Sequence, residues 1–173
     1  MDVGRNGCPI NIRSLRPDDR ADLVAAFKRV SPQSVYRRFF AVRRDFSDKE
    51  IAFFTDVDFD KHVVLVASID EGGQQAIVAA GRYVVMAPGR AEVAFTVIDA
   101  YQGQGIGSAL LRHIIGIAQQ AGLSELVAEI LAENTPMQRL FANCGFATTV
   151  RRQQDVVHMA LDLRHPTGCA SYQ

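Results

Sequence analysis

The sequence predicts an α/β protein of the α+β kind, with a mixed, mostly antiparallel central sheet that contains one parallel pair of strands and is flanked by helices. Three observations carry that expectation. Residues 62–69, 75–86 and 90–98 are apolar, β-rich runs separated by Gly72-Gly73 and Pro88-Gly89, and strands joined by turns this short run antiparallel. Beyond Ile98 the apolar period changes from two to 3.6, so that Ile106, Ala109, Leu110, Ile114, Ile117, Ala118 and Ala121 fall on one helical stripe. Residues 125–131 then form a further strand reached through that helix, a connection that sets it parallel to residues 90–98.

The other elements follow in chain order. Residues 1–8 read as a loose leader, and Ile10, Ile12 and Leu15 alternate with Asn11 and Arg13 as a first strand. Pro17-Asp18 opens a helix, with Asp19 and Asp22 suited to its positive end. Leu23, Ala26, Phe27 and Val30 continue it at i, i+3, i+4 and i+7. Ser31-Pro32 starts a second helix, the proline standing where no N–H is needed. Ser47 and Glu50 predict a capping box for a third, with Phe46 and Ile51 at the spacing of a hydrophobic staple. Residues 56–60 are acidic and turn-like, either a solvated loop or a stretch near an incoming amine. Gly122 closes the long helix. Thr135 and Gln138 match a capping box for the last helix, which leaves Asn134 just outside with its side chain free, and Gly145 ends it. Residues 146–150 and 156–163 make a closing hairpin, and residues 164–173 read as a mobile tail. No repeat interrupts the pattern, so a single domain spanning the chain is expected.

Composition narrows the function. A chain of 173 residues, 48% apolar and 22% charged, has the size and balance of one soluble globular domain. Nineteen basic residues offset nineteen acidic ones, so no global field recruits nucleic acid or an anionic membrane. Apolar runs such as residues 63–67 are far too short to span a bilayer, and the first ten residues lack an apolar signal segment. A cytoplasmic location is the expectation. Cys8, Cys144 and Cys169 are odd in number and scattered, and His62, His113, His158 and His165 form no close motif, so no metal is expected. Cys144, beside Gly145, reads as packed rather than reactive.

Between the central strand and the long helix lies Gln102-Gly103-Gln104-Gly105-Ile106-Gly107. Glycines at a helix entrance let the backbone approach a ligand and turn several N–H groups the same way. Those groups are unpaired there and carry the positive end of the helix dipole. An anion fits, above all a pyrophosphate. A Walker loop is excluded because no Gly-Lys-Ser/Thr follows, and a dinucleotide fingerprint is disfavoured because Ser108 and Ala109 follow Gly107. A glycine-rich turn without a ligand is the alternative.

Gln102-x-x-Gly105-x-Gly107, after a strand and before a helix, resembles the acetyl-CoA pyrophosphate loop of the GCN5-related N-acetyltransferases (GNAT). Asn134 and Leu140-Phe141-Ala142-Asn143-Cys144-Gly145-Phe146 resemble that family's second conserved block, and the likeness covers residues 10–163. The resemblance implies a sheet whose two central parallel strands splay apart to admit acetyl-CoA. Backbone groups of Phe95 and Val97 would hold the pantetheine arm, and Asn134, Met137 and Phe141 would lie along it. Gln102, Gly103, Gln104, Gly105, Ile106, Gly107 and Ser108 would take the pyrophosphate. Many family members place a tyrosine four residues before the helix-ending glycine; here that position is Phe141, which has no proton to give a departing thiolate.

Ser31-x-x-Ser34-Val35-Tyr36-x-Arg38-Phe39-Phe40 is similar, more narrowly, to the catalytic domain of bacterial protein lysine acetyltransferases that modify acyl-CoA synthetases. In some of those, a cyclic-nucleotide-binding or synthetase-like domain is attached. The residues alone leave two readings of this stretch with Arg43 and Arg44: core aromatics with solvated arginines, or a groove wall meeting an acidic partner or a coenzyme phosphate. An amine nucleophile must be neutral, yet free lysine has a pKa of about 10.4, so a base is useful. Glu92, entering the central strand, resembles the general base of those lysine acetyltransferases; alternatively it forms an ion pair with Arg90 or Arg82. His62 and Glu129 are rival bases. The expectation is direct transfer from acetyl-CoA to a primary amine, by preference a protein lysine. A small-molecule amine acetyltransferase and a non-catalytic acyl-CoA sensor are the alternatives.

Overall fold

The structure is a computed structural model that describes residues 1–40 and 46–167; Arg43, Arg44 and Cys169 lie outside the described residues. In chain order it contains β1 (Asp2–Val3), β2 (Pro9–Ser14), a 3-10 turn (Pro17–Asp19), α1 (Arg20–Lys28), α2 (Pro32–Phe39) and α3 (Asp48–Thr55). Then come β3 (His62–Asp70), β4 (Gln75–Ala87), β5 (Arg90–Val97), a second 3-10 turn (Asp99–Tyr101), α4 (Ile106–Gln120) and β6 (Glu125–Leu131). α5 (Thr135–Ala142), β7 (Phe146–Gln153) and β8 (Val156–Pro166) complete the described chain.

The eight strands form one sheet in the order β1-β2-β3-β4-β5-β6-β8-β7. Every neighbouring pair is antiparallel except β5 and β6, as the helical crossover between them requires. Residues directly opposite across a ladder share a face. The pairs Val84↔Glu92, Arg82↔Ala94, Ala80↔Thr96 and His62↔Val84 therefore put His62, Arg82 and Glu92 on one side of the sheet. α1, α2 and α3 cover that side: Phe27, Phe39, Phe46 and Phe54 pack ring to ring, and both Phe53 and Phe54 meet Arg82. α4 covers the other side. There a Cβ on Gly81 would stand 2.6 Å from the Phe95 ring and 3.2 Å from Ile114, so the glycine lets helix, ring and strand close together.

Three expectations need correction. Residues 1–8 are not a loose leader: β1 pairs with β2, and Asp2 pairs with Arg112 and His113 of α4. The closing strand runs on to Pro166, into the expected tail. Finally, α5 is capped by Asn134 itself, whose side chain accepts from the Met137 N–H at 3.4 Å, while Gln138 donates to the carbonyls of Leu131 and Ala132. Asp19 stands at the helix start as expected, and Arg13 also holds both its carboxylate oxygens, at 2.6 and 2.7 Å. The Ser47–Glu50 capping box of α3 is present as expected.

Candidate active site

The site begins where the sheet opens. β5 and β6 pair only at Arg90↔Glu125, Ala91↔Leu126 and Glu92↔Val127, whereas on its other edge β5 stays paired with β4 through Val97. From residue 93 onward one edge of β5 thus has no strand partner. A groove of about 890 Å³ occupies the opening, with Phe95, Val97, Gly103, Gly105, Ser108, Asn134, Met137 and Phe141 among its lining residues. Groups left free on a strand edge can bond an extended ligand as another strand would.

At the C-terminal end of β5 the chain turns through Asp99–Tyr101 into the glycine loop. Gly103 (φ 75°) and Gly105 (φ 88°) take the left-handed conformation that side chains with a Cβ disfavour. Gly105 is the N-cap of α4 and offers no side chain to close it. The N–H groups of residues 103–108 have no acceptor among the described residues; the first helical bond is Ala109 N–H to the Gly105 carbonyl, 3.0 Å. Six free donors at a helix N-terminus make an anion site. The loop is held from outside. Gln102 donates its amide to the Val97 carbonyl (3.0 Å) and to Ser34 Oγ (3.1 Å). Asp99 accepts from the backbone and hydroxyl of Ser31 and from Ser34.

The opposite end of the groove holds Glu92, at the apex of the fork. Its side chain is exposed and lines the groove. Neither ion pair open to it on sequence grounds forms: Arg90 binds Glu125 at 2.8 Å, and Arg82 leaves Nη1 buried without a partner. Behind Glu92 stand two guanidinium groups. Burial, and then the like charge of Arg82, pulls Arg38 down to about 9, with Glu92 opposing; burial also lowers Arg82, again opposed by Glu92. At about 9, Arg38 remains cationic at neutral pH.

The two rival bases are placed differently. His62 is buried and stacks on Phe53 at 5.1 Å. Burial, then the charge of Arg82, lowers its pKa, so it is neutral at pH 7. Its row on the sheet is His62, Val84, Glu92, which puts it about 10 Å from Glu92, two inter-strand spacings away. Glu129 lies on β6 beyond the last residue paired to β5, exposed along the groove, with His158 Nδ1 at 3.4 Å.

The acetyltransferase (GNAT) family profile matches residues 25–146. The chain belongs to the GNAT family. An acetyltransferase of Pseudomonas aeruginosa is 31% identical over 147 residues, 84% of this chain and 77% of that protein. Acetyltransferase Pat of Mycolicibacterium smegmatis is 32% identical over 161 residues, 92% of this chain but 47% of its own length, so the chain spans about half of that relative. Among solved structures, the GNAT domain of S. lividans PAT superposes with a TM-score of 0.84 at 35% identity, covering 93% of this chain and 94% of that one.

The GNAT chain is thus an acetyl-CoA-dependent N-acyltransferase, and its groove fits that co-substrate. Free amides of residues 103–108 suit the diphosphate, and the unpaired edge of β5 suits the amide-bearing pantetheine arm. The fork brings every sequence-predicted binding residue to one groove except Gln104, whose side chain is engaged elsewhere. That side chain accepts from Asn6 at 2.9 Å and donates to the Ala100 carbonyl at 3.1 Å, facing the N-terminal turn. Phe141 is 1% exposed and packs against Phe95 at 6.0 Å, under the groove rather than on its rim. Cys144 is half-buried, and burial pushes its thiol up, so it stays protonated at neutral pH. No group of histidine, cysteine and carboxylate residues able to hold a metal occurs among the described residues.

Sequence reasoning missed Arg5 and, although one of its two readings made the arginines of residues 34–40 a groove wall, did not identify the partner of Arg37. Arg5 lines the groove beside the phosphate loop, its N–H bonded to the Gln104 carbonyl at 2.8 Å. Arg37 on α2 reaches Glu133, which follows β6, at 3.5 Å and so links the two sides of the opening. Both depend on contacts between residues about a hundred positions apart, and no local pattern signals them.

Proposed function

We propose that the chain moves an acetyl group from acetyl-CoA directly to the Nζ of a protein lysine, in a ternary complex with Glu92 as general base. The observation that carries this reading is the place of Glu92. It is the last residue paired on both edges of β5, unbonded and facing the groove, directly before the free edge that suits the thioester arm. The lysine acceptor is favoured by the resemblance of residues 31–40 to bacterial protein lysine acetyltransferases, and by 35% identity to the GNAT domain of S. lividans PAT.

The chemistry follows from proton bookkeeping. A lysine ammonium of pKa about 10.4 loses its proton to the Glu92 carboxylate, directly or through one water. The neutral nitrogen attacks the thioester carbonyl carbon, and N–H groups on the open edge of β5 stabilise the oxyanion. As the C–S bond breaks, the nitrogen of the tetrahedral intermediate gives its second proton to solvent and the amide C–N bond is complete. The thiolate, conjugate base of a thiol of pKa about 8.5, leaves and takes a proton from solvent, since Phe141 carries no hydroxyl.

Glu92→Gln tests the base: kcat at pH 7 is expected to fall by about 100-fold or more, with acetyl-CoA affinity within about twofold of wild type in the same protein. Unchanged turnover would remove Glu92 from the role. Incubation with isotopically labelled acetyl-CoA and a cell lysate, followed by mass spectrometry, tests the acceptor. Label on protein lysines is expected; label confined to α-amines or small amines would replace the lysine assignment.

A further inference from the structure

The polar groups that this chemistry leaves unused collect behind Glu92. Arg82 stands opposite Ala94, on the same sheet face as Glu92 and one pleat away. Arg38 comes from α2 and lines the groove with Glu92, while Arg82 lies behind them, outside the groove lining. Arg82 lies 5.0 Å from the Phe53 ring centre and 5.3 Å from that of Phe54, while Arg38 lies 4.6 Å over Phe39. Aromatic faces attract the cations but leave most of their five N–H donors unserved. Among the described residues neither guanidinium forms an ion pair, and Arg82 Nη1 is buried with no acceptor. Neighbouring arginines differ: Arg37 has Glu133 and Arg90 has Glu125. A half-buried cation with donors left unserved and no bonded counterion among the described residues marks a place that a partner completes.

The coenzyme does not supply that partner. Its phosphates belong to residues 103–108, past the far end of β5, and Val97 alone is five residues, roughly 16 Å of strand, from Glu92. Glu92 serves only in part: its charge acts on both arginines, but it is exposed, bonded to neither among the described residues, and one negative charge against two positive ones.

We propose that Arg38 and Arg82 form an anion subsite of the acceptor pocket, so that the preferred acceptor carries a carboxylate close to its reacting amine. Arg38 presents the planar fork that matches a carboxylate, and Arg82 behind it adds the second charge. The inference rests on the acceptor entering at Glu92, as in the function proposed above. The carboxylate belongs either to an acidic side chain beside the target lysine or to a small amino acid.

Two matched acceptor pairs test it: end-blocked pentapeptides whose central lysine is flanked by aspartates or by asparagines, and 6-aminohexanoate with 6-aminohexanamide. With saturating acetyl-CoA, the wild type is expected to favour the anionic member of at least one pair by about tenfold or more in kcat/KM. Arg38→Gln and Arg82→Gln should each bring that ratio close to one, while Arg38→Lys, which keeps the charge, retains part of it. Preference in the peptide pair alone assigns the carboxylate to a protein acceptor, and in the small pair alone to a free amino acid. Equal rates within both pairs, or a ratio that no substitution changes, overturn the proposal. If none of the four turns over, calorimetric titration into the Glu92→Gln protein with acetyl-CoA bound reads the same preference as a Kd ratio. Equal or absent binding there overturns it too. Because that complex needs no base, failure of Glu92 as base leaves the ratio intact, and failure of the subsite leaves the Glu92→Gln loss intact.

Discussion

α3 and α4 begin in opposite ways. At α3, Ser47 accepts from the Glu50 N–H at 3.3 Å, and the Glu50 carboxylate accepts from the Ser47 N–H at 2.9 Å. The helix closes its own first turn yet contributes no fully buried residue. At α4 the N-cap is Gly105, no side chain caps it, and residues 103–108 keep their donors free. This helix instead buries Ile106, Ala109, Leu110, Leu111, Ile114, Ile115 and Ala118. Each fully buried leucine or isoleucine contributes about 1.5–3 kcal/mol, against about 1 kcal/mol for a cap. A helix so well anchored along its side can leave its end open. The missing cap is therefore affordable only where the core is deep, and that is where the groove opens.

The sharpest way to break the comparison is Gly105→Val. A β-branched residue at a φ of 88° forces the loop out of its conformation. Acetyl-CoA affinity, read by calorimetry, is expected to fall by about 100-fold, roughly 3 kcal/mol. Wild-type affinity in this variant would show that the amides of residues 103–108 are not the cradle.

The start of α1 gives an intermediate case, closed by an ion pair rather than a cap. Asp19 accepts from the Arg16 N–H at 2.7 Å as well as from Arg13. Asp19→Asn is expected to lower unfolding stability at pH 7 by about 2–3 kcal/mol, measured by urea titration. The bond from Arg13, against the opposing effect of burial, holds the Asp19 carboxyl below its ordinary value. A lowered folded-state pKa means that the stabilisation is complete above the unfolded value of about 3.9 and disappears as pH falls through the folded one. Wild type and variant should therefore converge towards pH 2. A gap that stays constant from pH 7 to pH 2 would assign the loss to packing instead.

Ser47→Ala should have the smallest effect. It removes the α3 cap, with an expected loss of about 1 kcal/mol in thermal or urea unfolding and no change in acetyl-CoA affinity. A change in affinity would mean that α3 and the phosphate loop are coupled, which their separate anchoring argues against.

Much of this was legible in the residues. Ser47 and Glu50 are spaced for their box, and the Gly103 and Gly105 pattern marks the open helix end, because both features depend on neighbours within four positions. The antiparallel run β3 to β5 was legible for the same reason, from Gly72-Gly73 and Pro88-Gly89. Asn134 was harder: Thr135 and Gln138 have the right spacing for a box, but Gln138 finds the Leu131 and Ala132 carbonyls, and the cap falls to Asn134. The N-terminal residues were misread because their partners, Gln104, Arg112 and His113, lie about a hundred residues away.

Period, turn chemistry and the glycine spacing, all local properties of the chain, were enough to determine most of the elements, the antiparallel run from β3 to β5 and a helix end left open at its N-terminus. Only the folded molecule decided that β5 parts from β6 after Glu92, that Arg90 is drawn to Glu125 rather than to Glu92, and that Arg38 and Arg82 meet behind Glu92 with no bonded counterion among the described residues. The reason is physical: where strands diverge and which charges find each other is set by packing between distant segments, and a linear pattern carries no record of those distances.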